Sequence, residues 1–268
     1  HQQHQQQQQQ HLLQHQQHTQ HQQLAHHLLG LKKKKGPQPM YLGLEAAAKK
    51  VKHNIVLVAC GWHANPAIAE SFAEAAKLAC PSVRVIQIDG REELGRKNAW
   101  GSADVFCSLS DNIQETFGLV PIEAMAAGLP VVVSDWNGYK DTVRDEIDGF
   151  RVKTMAPAGG LGADLAHRHA LGVDTYDRYC GYTSSLVAVD VGGVEKAFTE
   201  LFGSEELRKK MGSAGRARAQ QEYDWKKIIP LYESLWQSLR TIRERHNLNK
   251  ASTVSKHSWP ARLDPTIG

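Results

Sequence analysis

Two glutamates eight positions apart, Glu115 and Glu123, bracket the run Thr116-Phe117-Gly118-Leu119. Just downstream, Pro121 suits the first turn of a helix, where a missing N–H goes unused. Gly128 suits the position after a helix end, and Pro130 forbids continuation. The spacing predicts a short helix over 121–128 with Glu123 in its first turn. The free N–H groups and dipole at such a helix start form an anion site suited to a pyrophosphate. Gly118 is expected to let a phosphate or sugar approach the backbone closely. Two acids beside a phosphate site make sense if hydroxyls lie on both sides of it. A carboxylate accepts two hydrogen bonds from a vicinal diol, each worth about 1.5–3 kcal/mol. A nucleotide sugar has that layout: ribose, diphosphate, hexose. Glu123 is then assigned to the ribose diol and Glu115 to the sugar. The competing reading is a solvated loop acid and an acid favourable to a helix dipole.

These residues need a scaffold, and the flanking pattern supplies one. "NIVLVAC" (54–60), "VRVIQID" (83–89), "DVFCSLS" (104–110) and "PVVVSD" (130–135) are short apolar, strand-like runs. Between them lie helix-like segments at 67–80, 92–103 and 121–128, with another expected from Tyr139. Alternation of this kind predicts βαβ units and a doubly wound, Rossmann-like α/β domain with a parallel sheet. Ligands of open parallel sheets sit outside the carboxyl ends of the strands. The loops of interest are therefore "CGWHANP", "DGREE", "SDNIQETFG" and "SDWNGYKD". From about Val194 to Arg245 the chain reads as helical. Trp225, Tyr232 and Trp236 in its last helix are expected to be core and helix-packing aromatics.

The 268 residues are 41% hydrophobic and 22% charged, which excludes a wholly disordered chain, a collagen-like chain and a coiled-coil rod. A net charge of +4 is too mild to argue for nucleic acid, and no run reaches the roughly 18 apolar residues of a membrane helix. Cys60, Cys80, Cys107 and Cys180 form no C-x-x-C pair and are expected to be reduced, buried thiols of a cytoplasmic protein. Residues 1–30 hold eight histidines and no Asp, Glu, Lys or Arg. A low-complexity, disordered extension is the reading adopted for them over a metal-binding tract. The expected organisation is a Gln/His-rich tract and basic linker (1–36), one ligand-binding domain (37–245) and a polar, unpacked tail (246–268).

The stretch from Glu115 through "EAMAAGLPVVVSD", with Gly138 and "DGF" (148–150), resembles the E-x7-E region of retaining, family-4 glycosyltransferases of the GT-B fold. The similarity extends from about Pro39 to Trp236. It implies the C-terminal, donor-binding half of a GT-B fold with a helical C-terminal extension. The activity implied is transfer of a hexose from a UDP- or GDP-sugar to an acceptor with retention of configuration, with no metal and no cofactor beyond the donor. On the matching positions, Glu115 contacts the donor sugar and is needed for turnover, and Glu123 binds ribose. Thr116 lies in the same donor-binding run, where the Phe117, Gly118 and Leu119 backbone meets sugar and diphosphate. Asp89, Gly90 and Arg91 line the base. The family's diphosphate-clamping stretch corresponds to "GLKKKKGPQP" (30–39), where Lys35 is the candidate clamp and the usual arginine has no counterpart. The Gln/His tract stands where the acceptor domain is expected. The alternative function is therefore a non-catalytic nucleotide-sugar-binding or partner-binding module. A GT-B epimerase or phosphorylase ranks last, because its acids or cofactor lysine cannot be placed.

Other residues have plainer readings. Lys32 to Lys35 also read as a solvated linker. His63 reads as a surface-loop histidine. His167 and His169, at i and i+2, do not share a helical face, so no metal site is assigned there. Arg91 is equally compatible with stacking on a base and with simple exposure. Residues 161–185 read as an insertion, placed near an acceptor cleft.

Overall fold

The computed structural model describes residues 37–63 and 65–252. Lys35, the Gln/His tract and residues 253–268 lie outside that range. The chain divides into two compact units, with the boundary between Ala219 and Gln220.

The first unit opens with α1 (Gln38–Ala48), followed by β1 (Val56–Gly61), α2 (Pro66–Ala79), β2 (Arg84–Asp89) and α3 (Glu93–Ser102). Next come β3 (Phe106–Ser108), α4 (Leu119–Ala127), β4 (Val131–Ser134), the single turn α5 (Tyr139–Thr142) and β5 (Gly149–Val152). β1 and β2 pair in parallel from Val56↔Arg84 to Gly61↔Asp89. β3, β4 and β5 form a second parallel ladder with β4 at its centre. The alternation of strand and helix is the expected Rossmann-like α/β architecture, with its hydrogen-bonded sheet divided into these two ladders.

Both ladders share one apolar core. Leu57 of β1 packs there against a cluster that includes Val132 and Val152 of the second ladder, Val83, Leu109, and Ala75 and Ala79 of α2. The β-branched run Val131–Val133 is fully buried, as the central strand of a covered parallel sheet must be. β3 is shorter than the apolar run 104–110 suggests. Beyond Ser108 the chain leaves the ladder, and the Ser134 hydroxyl donates to the Ser110 carbonyl in place of a strand partner. At β5, a β-carbon on Gly149 would overlap the Val131 backbone, so glycine permits the close approach of the two strands.

After β6 (Thr154–Met155), the 161–185 stretch folds into α6 (Ala163–Ala170) and α7 (Tyr176–Ser185). Buried Asp174, paired with Arg168 at 2.7 Å, ties the turn between them. His169 stacks on Tyr179 with ring centroids 5.1 Å apart, which gives this histidine a packing role. β7 (Ala188–Val189) pairs antiparallel with β6 and leads into α8 (Val191–Gly203) and α9 (Glu205–Arg218). α8 lies on α1 where Gly43 faces Val194 without a β-carbon between them.

A π-helical turn (Ala219–Tyr223) precedes α10 (Trp225–Ser252). This helix runs on through His246, where the sequence suggests an unpacked tail. Its aromatics correct a second expectation: Trp225, Tyr232 and Trp236 are exposed, Trp225 by 71%, and they are not core residues. One helix cannot bury its own apolar stripe, so amphipathic spacing predicts a face and not its burial. Against the expectation of four buried thiols, Cys60 is exposed, on the open side of β1 near its end, and Cys107 is only partly buried.

Candidate functional site

The predicted short helix is α4, and its start is set by one residue. Gly118 adopts φ 82° and ψ 77°, a left-handed conformation that favours glycine. The helix begins at Leu119, two residues earlier than the pattern indicates, and Pro121 is its third residue. Gly118, at the capping position, has no side chain with which to cap this end. The leading amides of a helix have no intrahelical acceptor, so a partial positive charge collects there. The far end is closed twice. Gly128, at φ 84°, donates its N–H to the Met125 carbonyl, and the Arg216 guanidinium donates to the carbonyls of Ala126 and Ala127 at 3.1 Å each. The open end of α4 is therefore the amino end, which follows the carboxyl end of β3.

Glu115 and Glu123 sit on different parts of this structure. Glu115 is half-buried in the loop before the helix, whereas Glu123 is exposed on the helix itself. Because α4 starts at Leu119, Glu123 is its fifth residue, and the first turn contains no acid. This corrects the expected first-turn placement. Thr116, Phe117 and Leu119 are exposed beside Glu115, while Gly118 is buried.

The Glu115 loop is held by the loop after β4. Trp136 donates its indole N–H to the Asn112 carbonyl at 2.9 Å, and Asn112 Oδ1 accepts the Gln114 N–H at 2.8 Å. Asn137, at φ 36°, donates its side-chain amide to the Glu115 carbonyl at 2.9 Å. Gly138 lies directly against Thr116 and Phe117, where a β-carbon would overlap their backbone. Tyr139 is 1% exposed, and its hydroxyl lies between Ser108 Oγ at 2.8 Å and Glu115 Oε2 at 3.2 Å. Burial pushes the Tyr139 phenol above the usual tyrosine range, with the nearby Glu115 adding to the effect and the Ser108 hydrogen bond opposing it. The space that a β-carbon on Gly118 would occupy is filled by the Tyr139 ring, so the missing side chain makes room for protein there.

Asp89, Gly90 and Arg91 occupy a neighbouring edge at the carboxyl end of β2. Arg91 binds Asp89 through Nη2 at 2.6 Å and through Nε, and its backbone N–H also reaches Asp89 Oδ1 at 3.0 Å. The Arg91 contact holds the Asp89 carboxyl down at about 2, below the ordinary carboxylate value. Gly90 abuts Gly61 and donates its N–H to the Gly61 carbonyl at 3.2 Å, which joins the end of β1 to the loop after β2. Above that junction the Arg91 guanidinium carbon lies 5.8 Å from the centre of the exposed Trp62 ring. Trp62 carries no signal in the sequence beyond its place in the loop after β1, whereas the ring of His63 beside it packs 5.0 Å from Phe72. Among the described residues no group of three or more His, Cys, Asp or Glu side chains is arranged to hold a metal ion. No helix among them is long and apolar enough to cross a membrane.

The family model "Glycosyl transferases group 1" matches residues 6–158, more than half of the chain. The chain belongs to the group 1 glycosyltransferases. Similar curated proteins include the phosphatidyl-myo-inositol mannosyltransferase of Mycobacterium leprae, 30% identical over 149 residues, which are 54% of this chain and 30% of that protein. The alpha-maltose-1-phosphate synthase of Mycobacterium tuberculosis is 29% identical over 185 residues, covering 68% of this chain and 40% of its own length. The chain thus spans well under half the length of these relatives. Among solved structures, a glycosyltransferase from Rickettsia africae superposes with TM-score 0.51 at 17% identity, over 75% of this chain and 44% of that one. Sucrose-phosphate synthase from Thermosynechococcus elongatus gives 0.50 at 21% identity, over 78% of this chain and 44% of that one. These likenesses place this group 1 glycosyltransferase in the GT-B fold class by shape.

Proposed function

We propose that this chain is the donor-binding half of a hexosyltransferase that takes a sugar from a nucleoside-diphosphate sugar and passes it to an acceptor with retention of configuration. The observation that carries the reading is the uncapped start of α4, with Glu115 held beside it by the loop after β4. The diphosphate lies against the amides at Gly118 and Leu119. As the bond from the anomeric carbon to the diphosphate oxygen breaks, negative charge grows on the leaving group, and preorganised N–H donors stabilise it without reorganising. Glu115 accepts hydrogen bonds from donor-sugar hydroxyls, and Thr116 and Phe117 line the same edge. Glu123, one turn into the helix, takes the ribose diol. Asp89, Gly90 and Arg91 line the base, with Trp62 offering an indole face for stacking. Lys35 is the candidate for a second diphosphate contact. Neither a metal nor a cofactor other than the donor is assigned.

Isothermal titration of the full chain with UDP and GDP tests this reading. Saturable binding of at least one nucleoside diphosphate is expected. A folded protein that binds neither at millimolar concentration contradicts it.

A further inference from the structure

We propose that Tyr139 is the positioning residue of the site: through its hydroxyl it fixes the Glu115 carboxylate for contact with the donor sugar. The inference rests on the function proposed above and adds a residue that the E-x7-E resemblance does not contain.

A phenol has one proton to give. The Glu115 carboxylate can only accept, so the Tyr139 proton goes to Glu115 Oε2 at 3.2 Å. Ser108, at 2.8 Å on the other side, then donates its own hydroxyl proton to the phenol oxygen. The result is a directed relay from Ser108 through Tyr139 to Glu115. It joins the last residue of β3 to the loop that carries the acid. Ser108 alone would satisfy a buried phenol, so the second bond is not needed to keep the hydroxyl from being stranded. What it adds is an orientation for a half-buried carboxylate on an otherwise polar loop. Burial keeps the phenol protonated well beyond neutral pH, so it remains a donor throughout the working range.

The relay is rigid because Tyr139 has no freedom. Its ring is wedged against Gly118, and its backbone follows Gly138, which is itself pressed on Thr116 and Phe117. Asn137, two positions before Tyr139, holds the Glu115 main chain. Three consecutive residues, Asn137, Gly138 and Tyr139, thus fix the backbone, the close approach and the carboxylate of the preceding loop. A merely structural tyrosine would need the ring alone.

The test is titration of the full chain and its Y139F, E115Q and Y139F/E115Q variants with UDP, UDP-glucose, GDP and GDP-mannose. Y139F keeps the ring against Gly118 and removes only the hydroxyl. It is expected to melt close to the wild type and to bind the preferred nucleoside diphosphate within about twofold. Its affinity for the matching nucleotide sugar is expected to fall about tenfold, in line with loss of an oriented charged hydrogen bond. The double variant is expected to bind no worse than E115Q, since both changes act on one contact. If Y139F holds the nucleotide sugar as well as the wild type does, or if the two losses add, the relay has no positioning role. A drop in melting temperature with an unchanged ratio of nucleotide to nucleotide-sugar affinity assigns Tyr139 to packing alone and overturns the inference. In these outcomes the wild type still binds donor and the proposed function stands. A wild type that binds none of the four ligands removes both.

Discussion

The Tyr139 ring fills the volume that a β-carbon on Gly118 would need. Gly118 ends the loop after β3, and Tyr139 opens α5 after β4, so their contact joins the two segments that follow these strands. Gly118→Ala therefore meets two penalties: a left-handed backbone that alanine adopts at about 1–2 kcal/mol, and overlap with a ring that is buried on every side. A loss of about 2–4 kcal/mol is expected, checked by urea unfolding. A variant as stable as the wild type would mean that the ring can move aside.

Glu115 and Glu123 differ in burial and in place along α4, and their substitutions are expected to differ in kind. Glu123→Ala should weaken nucleoside diphosphates and nucleotide sugars alike, by about tenfold for a lost charged hydrogen bond. Glu115→Ala should spare the nucleoside diphosphate and weaken only the nucleotide sugar. Titration of both variants with UDP and UDP-glucose, and with GDP and GDP-mannose, separates the roles. Equal and negligible effects would remove both assignments.

Much of this arrangement is legible in the order of residues. Pro121, Gly128 and Pro130 mark the short helix, and Gly128 does take the left-handed conformation that ends it. The apolar runs mark β1, β2 and β4, although only β4 is buried along its whole length, as the central strand of a covered parallel sheet is. Other features escape such reading. β5, β6 and β7 are two to four residues long, too short for a period to register. The start of α4 depends on the backbone angle of Gly118, which spacing alone does not fix. Tyr139 is an ordinary aromatic at the start of a short helix until it is seen beside Glu115, 24 positions earlier. Trp62 has no pattern at all, and its interest arises from Arg91 on the next loop.

Arg216 is a further residue that spacing could not reveal, since it reaches across 89 and 90 positions to cap the last carbonyls of α4. Arg216→Ala is expected to cost about 0.5–1.5 kcal/mol by removing two hydrogen bonds that water replaces only in part, and Arg216→Lys to recover some of it because a single ammonium replaces a fork. Thermal unfolding of the two variants gives the comparison. No change in the alanine variant would show that water replaces the cap without loss.

The thiols supply a prediction in pH. Burial pushes Cys107 from 9.0 up to about 12 and Cys80 up to about 11, and it pushes Tyr41 from 10.0 up to about 12. Each group is held neutral by the fold, so its contribution is complete below the unfolded value and is lost as pH rises through the folded one. Stability is expected to decline progressively between about pH 9 and pH 12, measured by urea midpoints. In the native protein near pH 8, a thiol reagent should modify the exposed Cys60 rapidly, the partly buried Cys107 more slowly, and leave Cys80 and Cys180 for the denatured chain. Rapid reaction of all four would contradict the described burial.

The central claim is that the open amino end of α4 receives a diphosphate. The most direct measurement is a crystal structure of the chain with UDP-glucose or GDP-mannose bound. The expected result places diphosphate oxygens about 2.7–3.2 Å from the Gly118 and Leu119 amides, with a sugar hydroxyl on Glu115 and the ribose on Glu123. A nucleotide bound elsewhere, with that helix end facing only water, would contradict the account.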